Sequence, residues 1–258
     1  MRRPAARLAS LVVLALTLAP PGLPGQAPDS IRVAAGPQYD ASGMYRFLFG
    51  TGYRDLWTTA FQVPVLDLAT FAGGLVPVGR TGGMQTLALR FRAADGREYF
   101  FRSLDKDPSS VLPPDLLGTV AASVVQDQTK SALPTAPAVV SRLLTAAGIP
   151  HADPIIVALP DDPALGEFRP VFAGLVGTLE PRVGGSGPNE HFGGALEIIS
   201  TDSLAILVRR STRDRVDAVA FLKARLFDLL IGDWDRHRDQ WRWALFDSSE
   251  PRRWQPPI

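Results

Sequence analysis

The chain contains no cysteine. Disulfide staples, thiolate-bound metals and cysteine nucleophiles are therefore excluded, and the fold has to be held by an ordinary core, which this length can supply. Histidine is scarce, with three in 258 residues. His151 and His191 have no second ligand at metal spacing and read as loop or surface residues. Charge of one sign is lacking too. The formal net charge is +1, and Arg2, Arg3 and Arg7 lie in the first 27 residues, leaving 24 basic residues against 26 acidic ones beyond them. Such a balance gives no surface for nucleic acid. The chain has no Gly-x-Ser-x-Gly elbow of a serine hydrolase and no Gly-x-x-x-x-Gly-Lys-[Ser/Thr] phosphate loop.

Long apolar runs are missing as well. The first run, Leu8 to Ala19, has 12 residues, short of the roughly 20 that span a bilayer. It follows the basic start, is broken by Pro20 to Gly25, and precedes the small-residue site Gly25-Gln26-Ala27. Residues 1–27 thus read as a signal peptide, with an uncleaved anchor as the alternative. The expected location is periplasmic or extracellular. Lipid attachment would need a cysteine, and after leader removal no membrane span is expected.

What is present is ordinary for a globular protein: 46% hydrophobic and 21% charged residues, with 23 glycines and 23 prolines that signal many turns. Residues 28–78 form an aromatic-rich extension expected to pack on a core, with Tyr53-Arg54-Asp55-Leu56-Trp57 as a packing patch. Leu87, Leu89 and Phe91 alternate with polar or small residues, as in a half-buried strand. Ala93 to Gly96 is a turn, and a second strand carries Tyr99 to Arg102. Helices are expected over about 115–132 and 138–147, the second stopped by Gly148. Strands are expected over 155–159 and 171–179, a flexible loop over 184–194, and a helical turn over 202–207. Over 214–231 the residues Val216, Val219, Leu222, Leu226, Leu229 and Leu230 recur at spacings of three and four, predicting a helix buried on that face and ended by Gly232. Trp241–Phe246 and Trp254 onward form a final hairpin.

The chemistry-bearing stretch follows that helix: Gly232-Asp233-Trp234-Asp235-Arg236-His237-Arg238-Asp239-Gln240. A helix that stops at glycine can present a carboxylate in a rigidly held loop. Arg236 and His237 beside Asp235 would keep it ionised and oriented, and Gln240 offers a neutral oxygen to a hard cation. The bland alternative is a salt-bridged helix end.

This stretch resembles the catalytic loop of atypical kinases: HipA-type kinases, secretory kinases of the Golgi casein-kinase type, and phosphatidylinositol 3-/4-kinase-like enzymes. The resemblance implies an α+β, two-lobed protein-kinase-like fold, with a β-rich N-lobe over 79–179 and a helical C-lobe over 180–258. It implies that Asp235 engages an acceptor hydroxyl, with His237 in the catalytic loop, and that Gln240 binds Mg²⁺. Asp233 and Gln240 stand where those families more often carry Asn. The remaining placements follow from the resemblance. Gly79, Gly82 and Gly83 would cover the phosphates of ATP. Arg102 would hold them, with Lys106 as the fallback, and Asp127 would hold Arg102. Glu180 would sit at the hinge beside adenine. The second metal-binding Asp of those kinases lies after the hairpin that follows the catalytic loop. Here that hairpin reaches Gln255, so the expectation is an incomplete C-lobe. Two readings stand: an ATP-dependent phosphotransferase acting on an unknown protein or small-molecule hydroxyl, or an inactive pseudokinase or fragment acting as a secreted binding or structural domain.

Overall fold

The computed structural model describes residues 30–82, 85–108, 112–183 and 192–256. The expected leader, Gly83, His191 and most of the glycine loop over 184–194 lie outside them. The fold is α+β, with three sheets.

The N-terminal segment is built of β1 (Ser30–Val33), α1 (Gly43–Phe49), α2 (Arg54–Thr58) and β2 (Phe61–Pro64). β1 and β2 pair as an antiparallel ribbon. As its aromatic content predicts, the segment is anchored: Tyr39 and Trp57 are buried and meet edge to face.

The principal sheet holds β3 (Leu75–Gly82), β4 (Thr86–Ala93), β5 (Glu98–Lys106), β6 (Ile155–Ala158) and β7 (Val176–Pro181) in the order β3-β4-β5-β7-β6, every pair antiparallel. Between β5 and β6 lie α3 (Val120–Asp127) and α4 (Ala136–Ala147), and α5 (Arg169–Phe172) precedes β7. The expected helix over 115–132 is α3 flanked by two 3-10 turns, and the expected strand over 171–179 begins five residues later, after α5. Gly148 ends α4 in the left-handed conformation, as expected of a C-terminal glycine.

Strand alternation gives this sheet two unlike faces. One carries Leu89, Phe91, Tyr99, Phe101, Val157 and Leu179 and is closed by Leu66, Leu68, Leu165 and Phe172. Complete burial of a side chain such as Phe91 or Phe101 contributes roughly 1.5–3 kcal/mol each. The other face is apolar only where the β1–β2 ribbon covers it, at Leu104, Ala158 and Val176 packed on Val63. Its remainder mixes Ala88, Phe100 and Thr178 with a concentration of charged side chains.

The C-terminal part holds β8 (Glu197–Ser200), α6 (Thr201–Arg210), β9 (Asp214–Val216), α7 (Ala218–Ile231), β10 (Arg242–Leu245) and β11 (Arg252–Gln255). The sheet order is β8-β10-β11-β9. Its core gathers Leu204, Ala224, Trp241, Trp243, Leu245 and Trp254. Asp214 is buried and accepts from Trp254 Nε1 at 2.8 Å and Arg252 at 2.6 Å, which ties β9 to β11.

α7 corrects the sequence-based expectation. The face through Val219, Leu222, Leu226, Leu229 and Leu230 is exposed, while Ala224, Phe227 and Asp228 are buried. The helix is apolar nearly all round, so three-and-four spacing does not select one face. Phe221, Ala224, Phe227 and Ile231 form a second stripe at similar spacing. That stripe meets the tryptophans on one side and Val140, Leu144 and Ile149 of the α4 region on the other.

Candidate functional site

The helix that positions the loop is fixed at both ends. Asp217 caps α7 by accepting from the Val219 and Ala220 N–H groups. Gly232, at φ +73°, closes it with its N–H on the carbonyls of Asp228 and Leu229. The chain then passes through an irregular segment to His237, makes a 3-10 turn over Arg238–Gln240 and enters β10. The Asp233 N–H donates to the Asp228 carbonyl at 2.9 Å, the His237 N–H to the Asp235 carbonyl at 2.8 Å, and the Gln240 N–H to the His237 carbonyl at 3.0 Å. Positions 235, 237 and 240 are thereby linked in one short turn.

Arg236 does not serve Asp235, contrary to expectation. It turns inward, donating to Asp228 Oδ1 at 3.1 Å, with its guanidinium 4.7 Å from the Trp241 ring centroid. Arg225 donates to the other oxygen of Asp228 at 2.6 Å. Burial raises the Asp228 carboxyl pKa above its usual value, and the charges of Arg236 and Arg225 only partly oppose this. Asp228 and Arg236 form the clamp that holds the loop to the helix. The His237 ring faces Asp239 at 3.8 Å, and among the described residues His237 meets Asp235 only through the backbone.

Asp235 is left exposed, and its carboxylate has no hydrogen-bond or ion-pair partner among the described residues. The Gln240 side chain is exposed in the same turn. Mg²⁺ takes one or two carboxylates plus ligand phosphates rather than a full protein cage. The amide oxygen of Gln240 is a neutral donor that can complement such ligands. Among the described residues no group of three His, Cys, Asp or Glu side chains forms a metal cluster.

The expected nucleotide residues separate into two places. Gly79 and Gly82 lie within β3, paired with Arg90 and Leu87 across the hairpin, rather than in a free loop. Arg102 stands on β5, the third strand of the sheet, and donates to Glu180 Oε1 of β7 at 2.9 Å. Asp127 is elsewhere, so the expected Arg102–Asp127 pair is not formed. Asp127 is 8% exposed and accepts from Arg54 at 2.6 Å and from Lys130 at 2.5 Å. Its burial would raise the carboxyl pKa, but the two cations outweigh this and hold it below the usual carboxylate range. Two cations arriving from either side satisfy this carboxylate before Arg102 can reach it. Asp127 also borders a cleft of about 580 Å³ lined in part by Tyr39, Tyr45, Arg54, Asp107 and Gln126. In that cleft Tyr39 donates to Asp105 at 2.5 Å, and burial, then this bond, pushes the Tyr39 phenol up to about 12.

Reading the sequence alone missed the Asp228 clamp. Its signal was an acid inside an apolar helix, three residues after Arg225 and one turn before the terminating glycine. Also missed was the commitment of Asp127 to Arg54, 73 residues away. Compared with known proteins, the chain matches no family model, no curated protein and no solved structure.

Proposed function

We propose that the protein is an exported ATP-dependent phosphotransferase that acts on a hydroxyl group of a protein or small-molecule acceptor. The observation that carries this reading is the exposed carboxylate of Asp235, without a partner among the described residues and held in a loop whose neighbouring arginine is clamped inward on Asp228. A carboxylate so placed can accept a proton from an acceptor hydroxyl or orient that hydroxyl for attack. Arg102 on the third strand is the cation that would meet phosphate oxygens, and its guanidinium suits bidentate contact. Glu180 keeps it oriented until a phosphate competes. Mg²⁺, when bound with the nucleotide, would neutralise charge on the transferring phosphoryl group, and Gln240 is the side chain that would hold it.

One observation favours the alternative of a non-catalytic nucleotide-binding domain. Asp127 is committed to Arg54 and Lys130, so no acid from α3 orients Arg102. The two readings separate in one experiment. Conversion of ATP to ADP and transfer of labelled phosphate are followed with Mg²⁺, in the parent protein and in Asp235→Ala. Transfer that drops about 10²- to 10⁴-fold in the variant, the range of a positioned acid–base group, supports the enzyme. Nucleotide binding without transfer in either protein leaves the binding domain.

A further inference from the structure

The face of the principal sheet away from the Leu89–Phe101 core bears a compact arginine array. Cross-strand register sets it out in rows. Arg92 of β4 lies opposite Glu98 of β5, and Arg182 continues the row, its N–H donating to the Glu98 carbonyl. The next row runs Gly79, Arg90, Phe100, Glu180, and the one after it contains Arg102. Four arginines and two glutamates therefore share one face.

The pairing within the array is uneven. Glu98 is 8% exposed and accepts from Arg182 at 2.6 Å and from Arg92 at 3.3 Å. Arg90 approaches it only to 3.9 Å, beyond a hydrogen bond. One carboxylate offers about four acceptor sites, whereas each guanidinium carries five donors. Most N–H groups of Arg90, Arg92 and Arg182 thus point to solvent, and all three side chains are more than a third exposed. Glu98 fixes where they stand. Burial alone would raise its pKa, yet Arg182, Arg92 and Arg90 hold it below the usual range. Gly79, paired with Arg90, has open space where a side chain would begin.

The geometry points to a binding site, on this face, for a ligand carrying two linked phosphate groups. Arg92 and Arg182 sit on strands that flank β5, so their backbones are about 10 Å apart, while Arg90 is one row, about 7 Å, along β4. Such a triangle can take two adjacent tetrahedral anions, each bidentate on a guanidinium, with Glu98 as the shared brace. The site does not depend on Asp235 or on phosphoryl transfer. The diphosphate could be free or part of a nucleotide, and both are tested below.

The test is calorimetric titration of the whole protein with sodium pyrophosphate and, separately, with ADP, at constant ionic strength and without divalent cations. The same titrations are made on Arg90→Gln/Arg92→Gln, on Asp235→Ala, and on Arg209→Gln/Arg210→Gln of α6 as a charge-matched control. Saturable binding is expected in the parent, weakened at least tenfold in Arg90→Gln/Arg92→Gln and unchanged in the other two. Equal affinities for the two ligands identify the diphosphate itself as what is recognised; tighter ADP binding identifies a nucleotide. Either result supports the site. Absence of binding in the folded parent, or equal weakening by the α6 control, would overturn it. A loss confined to Asp235→Ala would also overturn it, by moving the anion to the loop.

Discussion

Removing the carboxylate of Asp127 leaves two cations, Arg54 and Lys130, buried with no anion between them. Arg54 is 1% and Lys130 2% exposed, so water cannot replace the lost partner. Arg54 retains the carbonyls of Tyr39 and Gly50, and Lys130 that of Phe49. Those contacts tie residues 39–54 to the end of α3, so the cost falls on the whole N-terminal segment. Breaking a buried pair from one side costs about 3–5 kcal/mol. For a protein of this size each kcal/mol moves the melting temperature by about 2–4 °C. Asp127→Asn is therefore expected to melt about 6–20 °C below the parent in scanning calorimetry. A second change, Lys130→Met, removes one stranded cation, so the double variant should recover at least about 1 kcal/mol relative to Asp127→Asn. The pH dependence follows from the lowered pKa. Asp127 stabilises the fold fully above the unfolded carboxyl value of roughly 3.9. That contribution fades as pH falls through the lower folded value. Asp127→Asn should lack this acid-side loss. A penalty under about 1 kcal/mol, or no recovery in the double variant, would show that Asp127 does not anchor Arg54 and Lys130 in this way.

Other outcomes follow from single residues. Asp235→Ala should change the unfolding free energy in urea by no more than about 0.5 kcal/mol, because the side chain is exposed and has no partner among the described residues; a large shift would mean that Asp235 is structural. Asp228→Asn removes the charge that holds Arg236, so kcat for ATP turnover should fall while KM changes little; the reverse split would deny that the clamp positions the loop. Gly177→Ala should destabilise by about 3 kcal/mol, since the added carbon would lie 2.4 Å from both the Arg102 carbonyl oxygen and the Phe101 ring. A neutral result in urea unfolding would show that β5 and β7 can part there.

The strands and turns around the principal sheet were legible because alternation and glycine signals act locally. Leu87 to Phe91, the Ala93–Gly96 turn and Ile155 to Ala158 fall where those signals put them. The terminal hairpin was legible for the same reason. The face of α7 was not, because two apolar stripes compete on one helix and only the tryptophans of distant strands decide between them. Asp127 and Arg102 were misjudged together for a related reason. Each has a plausible partner nearby in sequence order, yet each is satisfied by a residue more than 70 positions away, Arg54 and Glu180. Arg236 shows the limit at short range: adjacent to Asp235 in sequence, it points the other way because a buried carboxylate and an indole ring outbid an exposed neighbour.

Nucleotide binding through Arg102 is the first requirement of the proposed transfer. The most direct measurement is thermal melting of the purified protein with ATP, with and without Mg²⁺, repeated for Arg102→Gln. Binding to the folded state raises the melting temperature by mass action. The account predicts a rise with ATP that grows when Mg²⁺ is added and shrinks in Arg102→Gln, since hydrogen bonds to a charged group contribute about 1.5–3 kcal/mol. A folded protein whose melting is indifferent to ATP and Mg²⁺ would contradict it and leave Asp235 an exposed carboxylate beside the Asp228–Arg236 ion pair.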